Sequence, residues 1–377
     1  MAGLTAPRPD ASSVLMRKTY ILIAAALLFA ASQAFAGDFD AVRARLAADG
    51  VPQDELAKVF DNPQVRFTPD PMGKKLLEMY TAKYGSLVVR KLQTRLGELG
   101  YFFGQATGRP DFLFRRGVKA FQHDNALPED GRFGADLLAV AERQNRQASP
   151  ETQQELRDLA AQGPPDMYEA IVAPERLAEA RAFFEANKAL LEEARSRYGV
   201  PPEAAVGLLS METRMGKFLG DNLAVNNLAS MAESLSAAKV MDWLLGEDVT
   251  PAQRAWLDAK AADKAAWAYS ELKALFTYAR LNNLDLTTMP GSIYGAIGVS
   301  QFMPSSLLRF GVDGGDGRVD IFRVRDAVLS MGNYLRSHGL TGDLGDESSL
   351  RAALFRYNHS ETYVNTIMAV ARFLKNP

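Results

Sequence analysis

Apolar residues recur at helical spacing through most of this chain, and that period leaves little room for a sheet. Phe39–Ala47, Pro52–Phe60, Met72–Tyr84, Glu175–Arg197, Pro202–Met215, Pro251–Ala279, Val324–His338 and Ser349–Tyr357 each carry them along one helix face. Glu175–Arg197 is the clearest, with Leu177, Ala180, Phe183, Phe184, Leu190 and Leu191 on its apolar side. No βαβ rhythm, no G-x-G-x-x-G after a strand and no phosphate loop interrupts these segments, which argues against a nucleotide-dependent enzyme. The expected class is mainly α.

Residues 1–36 read as a targeting segment. Arg17 and Lys18 precede the apolar run Ile21–Ala31, and Ala34-Phe35-Ala36 offers small residues where a signal peptidase reads. Met16 is an alternative start, because Met1–Leu15 resembles no part of a signal. The run of 11 residues is too short to span a bilayer. Release after Ala36 gives a soluble periplasmic protein; an uncleaved membrane anchor is the competing reading. The chain has no Cys, so disulfides, thiolate metal sites, a Cys nucleophile and a lipid-bearing Cys are all excluded. Residues 1–36 hold Arg8, Arg17, Lys18 and Asp10, so their net +2 leaves −4 on the remainder against −2 for the whole chain. No basic block stands out, which disfavours nucleic acid and anionic lipid as partners. A neutral or mixed-charge polymer fits better.

Glu212 is the residue with the clearest chemical promise. A helix starting at Pro201-Pro202 places Ala205, Leu208, Leu209 and Glu212 on one stripe. A carboxyl at the edge of an apolar stripe is desolvated, which raises its pKa and lets it hold a proton near neutral pH. That is what a general acid requires. A salt-bridged or solvated Glu near a helix end is the alternative that position alone leaves open.

Between Ser86 and Asn145 the texture changes. Leu87–Leu99 and Phe112–Asn125 form two amphipathic helices, Asp130–Gly134 a Gly-rich turn, and Leu137–Arg143 a closing helix. Val89, Leu92, Gln93, Leu96, Leu99, Gly100 and Tyr101, then Val118, Phe121 and Gln122, then Leu127, Asp130, Gly131 and Gly134 carry the pattern of the three-helix peptidoglycan-binding module. The unit resembles that module, with an altered turn over Gly104–Pro110.

The remainder resembles the lytic murein transglycosylase B family. Three stretches in order carry the resemblance: Met211–Gly216 around Glu212, Ser292–Ser306 (SIYGAIGVSQFMPSS), and Arg356-Tyr357-Asn358 followed by Tyr363. The resemblance implies a lysozyme-like helical catalytic domain made of residues 37–83 and 168–377. It also implies that the binding module, 84–145, is inserted between the two parts, with 146–167 as a linker holding one short helix. Insertions survive at exposed loop tips.

By that resemblance, the implied reaction cleaves the β-1,4 bond between N-acetylmuramic acid and N-acetylglucosamine and leaves a 1,6-anhydromuramoyl end. Ordinary glycosidases use two carboxylates, and the matched stretches supply one. Glu212 would serve as both acid and base. Ser292 and Gln301 would contact the reacting sugar, and Tyr357 and Asn358 would close the site from the far side. Tyr198 and Tyr334 are further substrate-binding candidates, each with a core role as its alternative. Val299 and Ser300 stand where relatives often carry an aromatic residue and Gly. Two other functions compete: a noncatalytic peptidoglycan-binding scaffold and a lysozyme-like muramidase using water. Glycan strands are the expected partner of a monomer, with cell-wall synthesis enzymes such as penicillin-binding synthases implied by analogy alone.

No cofactor is required by this chemistry, but the resemblance implies a structural calcium ion. Asp313–Asp326 (DGGDGRVDIFRVRD) resembles the EF-hand-like loop of the family with one residue missing near Gly314-Gly315. Asp313, Asp316, the Arg318 carbonyl and Asp326 are its expected ligands. Three acids on a glycine-rich turn that are merely solvated are the alternative.

Overall fold

The computed structural model describes residues 37–244, 248–341 and 346–376. The targeting segment read over 1–36 lies outside them. The described residues form sixteen α-helices, and the expectation of a mainly α protein stands. Only two two-residue strands occur among them: Asn222–Leu223 (β1) pairs antiparallel with Pro290–Gly291 (β2), Asn222 opposite Gly291.

Helices α1 to α3 (Asp40–Ala48, Gln53–Phe60, Asp70–Tyr84) share one hydrophobic core with buried residues between Ala180 and Leu374. Polar bonds fix them there. Tyr269 Oη donates to Asp49 Oδ2 at 2.8 Å, and the Thr68 amide donates to Ser230 Oγ at 3.0 Å. A second core joins α4 (Leu87–Glu98), α5 (Phe112–Asp124), α6 (Ala135–Arg143) and α7 (Pro150–Gln162), built on Leu92, Leu96, Phe114, Val118 and Phe121. The short helix expected in 146–167 is α7, and its Leu156 is buried in this smaller core with Ala148. Gln93 and Gln122, buried in α4 and α5, act as loop clamps. Gln93 accepts from the Gly108 amide and donates to Arg109 O; Gln122 accepts from the Gly131 amide and donates to Arg132 O. A buried side-chain amide that both donates and accepts fixes turn geometry that apolar packing cannot.

Where one helix was expected over Glu175–Arg197, there are two, α8 (Pro174–Ala186) and α9 (Lys188–Tyr198). Asn187 breaks the run by turning its Nδ2 back onto Phe183 O at 2.8 Å. Such local side-chain bonds compete with helical geometry. Gly199, left-handed at φ 74°, then ends α9, and Pro202 at the first turn starts α10 (Pro202–Thr213). After β1 comes α11 (Ala224–Glu233), packed on the 32-residue α12 (Pro251–Asn282). Thr250 and Gln253 form a capping box at the start of α12. Its Leu257, Ala261, Ala265, Ala268, Leu272 and Leu275 make a buried stripe at three- and four-residue spacing. Helices α13 (Pro304–Phe310), α14 (Val324–Ser337), α15 (Glu347–Tyr357) and α16 (Glu361–Lys375) complete the order.

The contact that positions the site is α10 on α16. A Cβ on Gly207 would lie 2.8 Å from Ile367 O, so only glycine lets the two backbones approach this closely. That approach brings Tyr363, one turn before Ile367, alongside Glu212.

Candidate active site

Helix α10 is buried on every side from Ala204 to Ser210, rather than along one stripe, and Glu212 sits at its end with only part of its surface exposed. Burial of the carboxyl raises its pKa to about 7, against a smaller lowering by the Tyr363 hydroxyl, which donates to Glu212 Oε1 at 2.5 Å. No second carboxylate is among the groups that shift it. Immediately beyond, Arg214, Met215 and Gly216 all take positive φ, at 52°, 59° and 87°. Two successive non-glycine residues in the left-handed region store backbone strain, which persists only where surrounding bonds enforce it. Here Thr213 Oγ1 donates to Val299 O at 2.6 Å and accepts from the Gly216 amide at 2.9 Å. The Arg214 guanidinium grips both oxygens of Glu179, whose carboxyl is thereby held down at about 2.

The loop from Gly291 to Met303 folds over this end of the helix. Gly295 and Gly298 have φ of 86° and 74°, and Cβ atoms there would strike Leu228 and Ile321 at 2.4 Å. Gln301 is left-handed too, at φ 49°, and its Nε2 donates back to Gly298 O at 3.0 Å. Ser292 Oγ accepts from the Ala296 amide at 3.0 Å. Both residues therefore brace their own loop. Ser300 is fully buried with no partner for its hydroxyl, while its carbonyl accepts the Tyr357 hydroxyl at 2.5 Å.

Of the remaining sequence candidates, Tyr357 reaches the acid's surroundings: burial pushes its phenol well above the usual range, and the charge of Glu212 adds to that. Tyr334 forms an aromatic cluster behind it, its ring centroid 5.0 Å from Tyr357, 5.6 Å from Phe302 and 3.9 Å from His338. Tyr198 packs against α14 at Gly332, where a Cβ would come within 2.7 Å of its ring, and Asn358 is an exposed residue closing α15. The structure thus brings Glu212 together with Tyr357 and Tyr363. Tyr198 belongs to the scaffold.

Tyr363 was legible as a motif position but carried no assigned role. The signal was present: Ser360 caps α16, and Tyr363, Val364, Ile367 and Met368 follow at helical spacing. Tyr168 is a second omission. It is 45% exposed, its amide donates to Thr366 Oγ1 at 2.9 Å, and its phenol is close enough to Tyr363 to raise the latter's pKa.

The three carboxylates expected around calcium are turned to other partners. Asp313 Oδ1 accepts from the amides of Gly315 and Asp316, and its Oδ2 from Gly317. Asp326 accepts from the amides of Gly314 and Asp320, and Asp316 is paired with Arg323. Among the described residues no three His, Cys, Asp or Glu side chains are grouped to hold a metal ion. Calcium takes six to eight oxygen ligands, and this donor set does not fit it.

With an isolated, desolvated carboxyl under a glycine loop in view, comparison with known proteins is decisive on family. Residues 135–346 match the transglycosylase SLT domain. The chain belongs to that family. Within this family member, residues 87–140 match a peptidoglycan binding domain, in the region of the smaller core. The membrane-bound lytic murein transglycosylase B of Escherichia coli (strain K12) is 28% identical over 169 residues. The match covers 45% of this chain and 40% of that relative, so the chain spans less than half the length of the curated protein. SltB3 from Pseudomonas aeruginosa, solved in complex with NAG-NAM-pentapeptide, is 16% identical with a TM-score of 0.52 over 90% of this chain and 79% of that one. That likeness shows a shared fold. The lytic transglycosylase SLT35 of Escherichia coli, solved in complex with calcium, has 20% identity and a TM-score of 0.46 over 68% of this chain and 92% of that one. It is too distant to carry calcium across. No described helix of this family member is long and apolar enough to cross a membrane.

Proposed function

We propose that this protein is a peptidoglycan lytic transglycosylase that works with a single carboxyl, Glu212. The observation that carries the reading is a carboxyl whose pKa burial raises to about 7 and whose Oε1 is held by Tyr363, with no second acid acting on it. Near neutral pH such a group exists in both forms, as one residue serving as acid and then base requires. Membership of the transglycosylase SLT family and the 28% identity to a murein transglycosylase support the same reaction.

Protonated Glu212 gives its proton to the glycosidic oxygen between N-acetylmuramic acid and N-acetylglucosamine as the bond from that oxygen to the muramic C1 breaks. The muramic C6 hydroxyl then attacks C1, and ionised Glu212 takes the hydroxyl proton. A 1,6-anhydro ring forms, and the acid is restored with no water consumed. Attack from within the same sugar has the orientation advantage of a unimolecular step. Tyr363 keeps the carboxyl aimed, and Tyr357 ties α15 to the backbone at Ser300.

The strand is gathered by the module of residues 84–145, which we read as inserted between two parts of one catalytic domain, 37–83 and 168–377. Two cores without a shared residue support two units, the smaller one reaching past 145 to Leu156 on α7. Export and release of a periplasmic protein belong to the same reading. The product decides the chemistry. Mass spectrometry of purified glycan strands after reaction is expected to find anhydro ends; reducing ends one water heavier would make it a muramidase, and intact strands a scaffold.

A further inference from the structure

The loop between α13 and α14 has the acids of a cation site, yet an arginine stands among them. We propose that Arg323 takes the place of a calcium ion in this loop, and that it thereby positions the backbone behind Glu212 without metal.

Four carboxylates lie in 313–326, and each has a partner inside the protein. Asp313 lies over the amides of Gly315, Asp316 and Gly317 at 2.6, 3.0 and 2.9 Å. Asp326, 3% exposed, accepts from Gly314 at 3.1 Å and from Asp320 at 2.6 Å. Amide hydrogens thus take five of the roughly eight lone-pair sites on these two carboxylates, and the rest fall well short of the six to eight oxygens calcium takes. The two acids left, Asp316 and Asp320, both face Arg323: the first through a close ion pair, the second at 3.5 Å from Nε. Arg318 stands 3.6 Å from Asp316 as well. A guanidinium is a planar, permanently charged fork suited to bridging two carboxylates. The one-residue shortening read from the sequence removes a ligand position, and the covalently attached cation supplies the charge that a bound ion would have brought.

What Arg323 holds leads back to the acid. Two residues earlier, Ile321 O accepts the Val299 amide at 3.0 Å, and the Ile321 amide donates to the Tyr278 hydroxyl at 3.1 Å. Val299 O in turn accepts the Thr213 hydroxyl at 2.6 Å, next to Glu212. A Cβ on Gly298 would lie 2.5 Å from Ile321 O, so the two segments touch backbone to backbone. Loop, site loop and catalytic helix form one chain of hydrogen bonds.

Replacement of the ion is tested without activity; the positioning role rests on the transglycosylase reading. Thermal unfolding of the full chain is followed in millimolar calcium and in chelator. The wild-type melting temperature is expected to be the same in both, and Arg323→Ala to lower it by about 3 °C or more. A wild-type rise in calcium, or a fall in chelator, overturns the replacement. If Arg323→Ala does not fold, Arg323→Lys, which keeps the charge and loses the fork, takes its place with a smaller expected fall. On glycan strands, the Arg323 variant is expected to lose about tenfold in kcat with KM unchanged. The upper limb of its pH–rate profile should move to lower pH as water reaches Glu212. A variant that melts early yet keeps the wild-type kcat and pH limb overturns the positioning role. Loss of wild-type activity altogether strikes the transglycosylase reading and leaves the thermal result standing.

Discussion

Tyr363 Oη and Glu212 Oε1 lie 2.5 Å apart, on two helices that meet only because Gly207 has no side chain. Burial drives the carboxyl toward its neutral form, and the phenol draws it back by donating to the ionised one. The balance at about 7 belongs to the pair of helices rather than to Glu212 alone.

Tyr363→Phe removes the lowering influence and leaves burial unopposed. The Glu212 pKa is therefore expected to rise further, moving the upper limb of the kcat pH profile to higher pH. Loss of a hydrogen bond to a charged group should also reduce kcat about tenfold. A profile unchanged by the substitution would mean that the contact does not tune the acid.

Glu212→Gln separates catalysis from stability. Turnover should fall by about 10²–10⁴-fold. Because the folded pKa of about 7 lies above the ordinary value of 4.5, the folded protein holds the proton more tightly than the unfolded chain between those limits. Burial thus costs nothing below pH 4.5, and the cost grows up to pH 7 and stays constant above it. A neutral Gln escapes it, so the variant should be more stable than wild type at pH 8 by on the order of 2 kcal/mol. Denaturant titrations at pH 4.5 and 8 check this: equal stability at both would show a solvated carboxyl.

Glu212 could be found from sequence because a carboxyl closing an apolar helical run is a local pattern. Most of its surroundings are not local. Tyr357 bonds a backbone carbonyl at Ser300, and no residue type announces a carbonyl partner. Ser292 and Gln301 are polar residues in the expected loop, and their side-chain hydrogen bonds return to that loop. The split at Asn187 and the fate of the 313–326 acids had the same cause: composition names the donors and acceptors, and backbone geometry decides which of them meet. Helical class survives this test, since apolar period depends on many residues at once.

Thr213→Val keeps the shape of the side chain and removes its oxygen. Thr213 is 2% exposed, and the change leaves Val299 O and the Gly216 amide without the partner each has now. A loss of about 2–3 kcal/mol is expected for a buried carbonyl and a half-buried amide left unpaired. The strained turn at Arg214 and Met215 should relax, lowering kcat more than it raises KM. Unchanged kcat in a destabilised variant would show that Glu212 does not depend on this anchor.

Gly117→Ala tests whether the smaller core stands alone. A Cβ at Gly117 would lie 2.1 Å from Tyr101 O, so α5 must move away from the segment it packs on. Tyr101 is buried there, its hydroxyl donating to Asp124 at 2.8 Å, and its ring meets Phe121 edge-on. Overpacking against rigid backbone should therefore melt α4 to α7. Since the large core contains none of their residues, it should remain folded. Calorimetry is expected to show an early transition that wild type lacks. The variant should no longer sediment with intact peptidoglycan, while its turnover of short soluble glycans stays at the wild-type level. Loss of that turnover together with strand binding would show that the two cores fold as one unit.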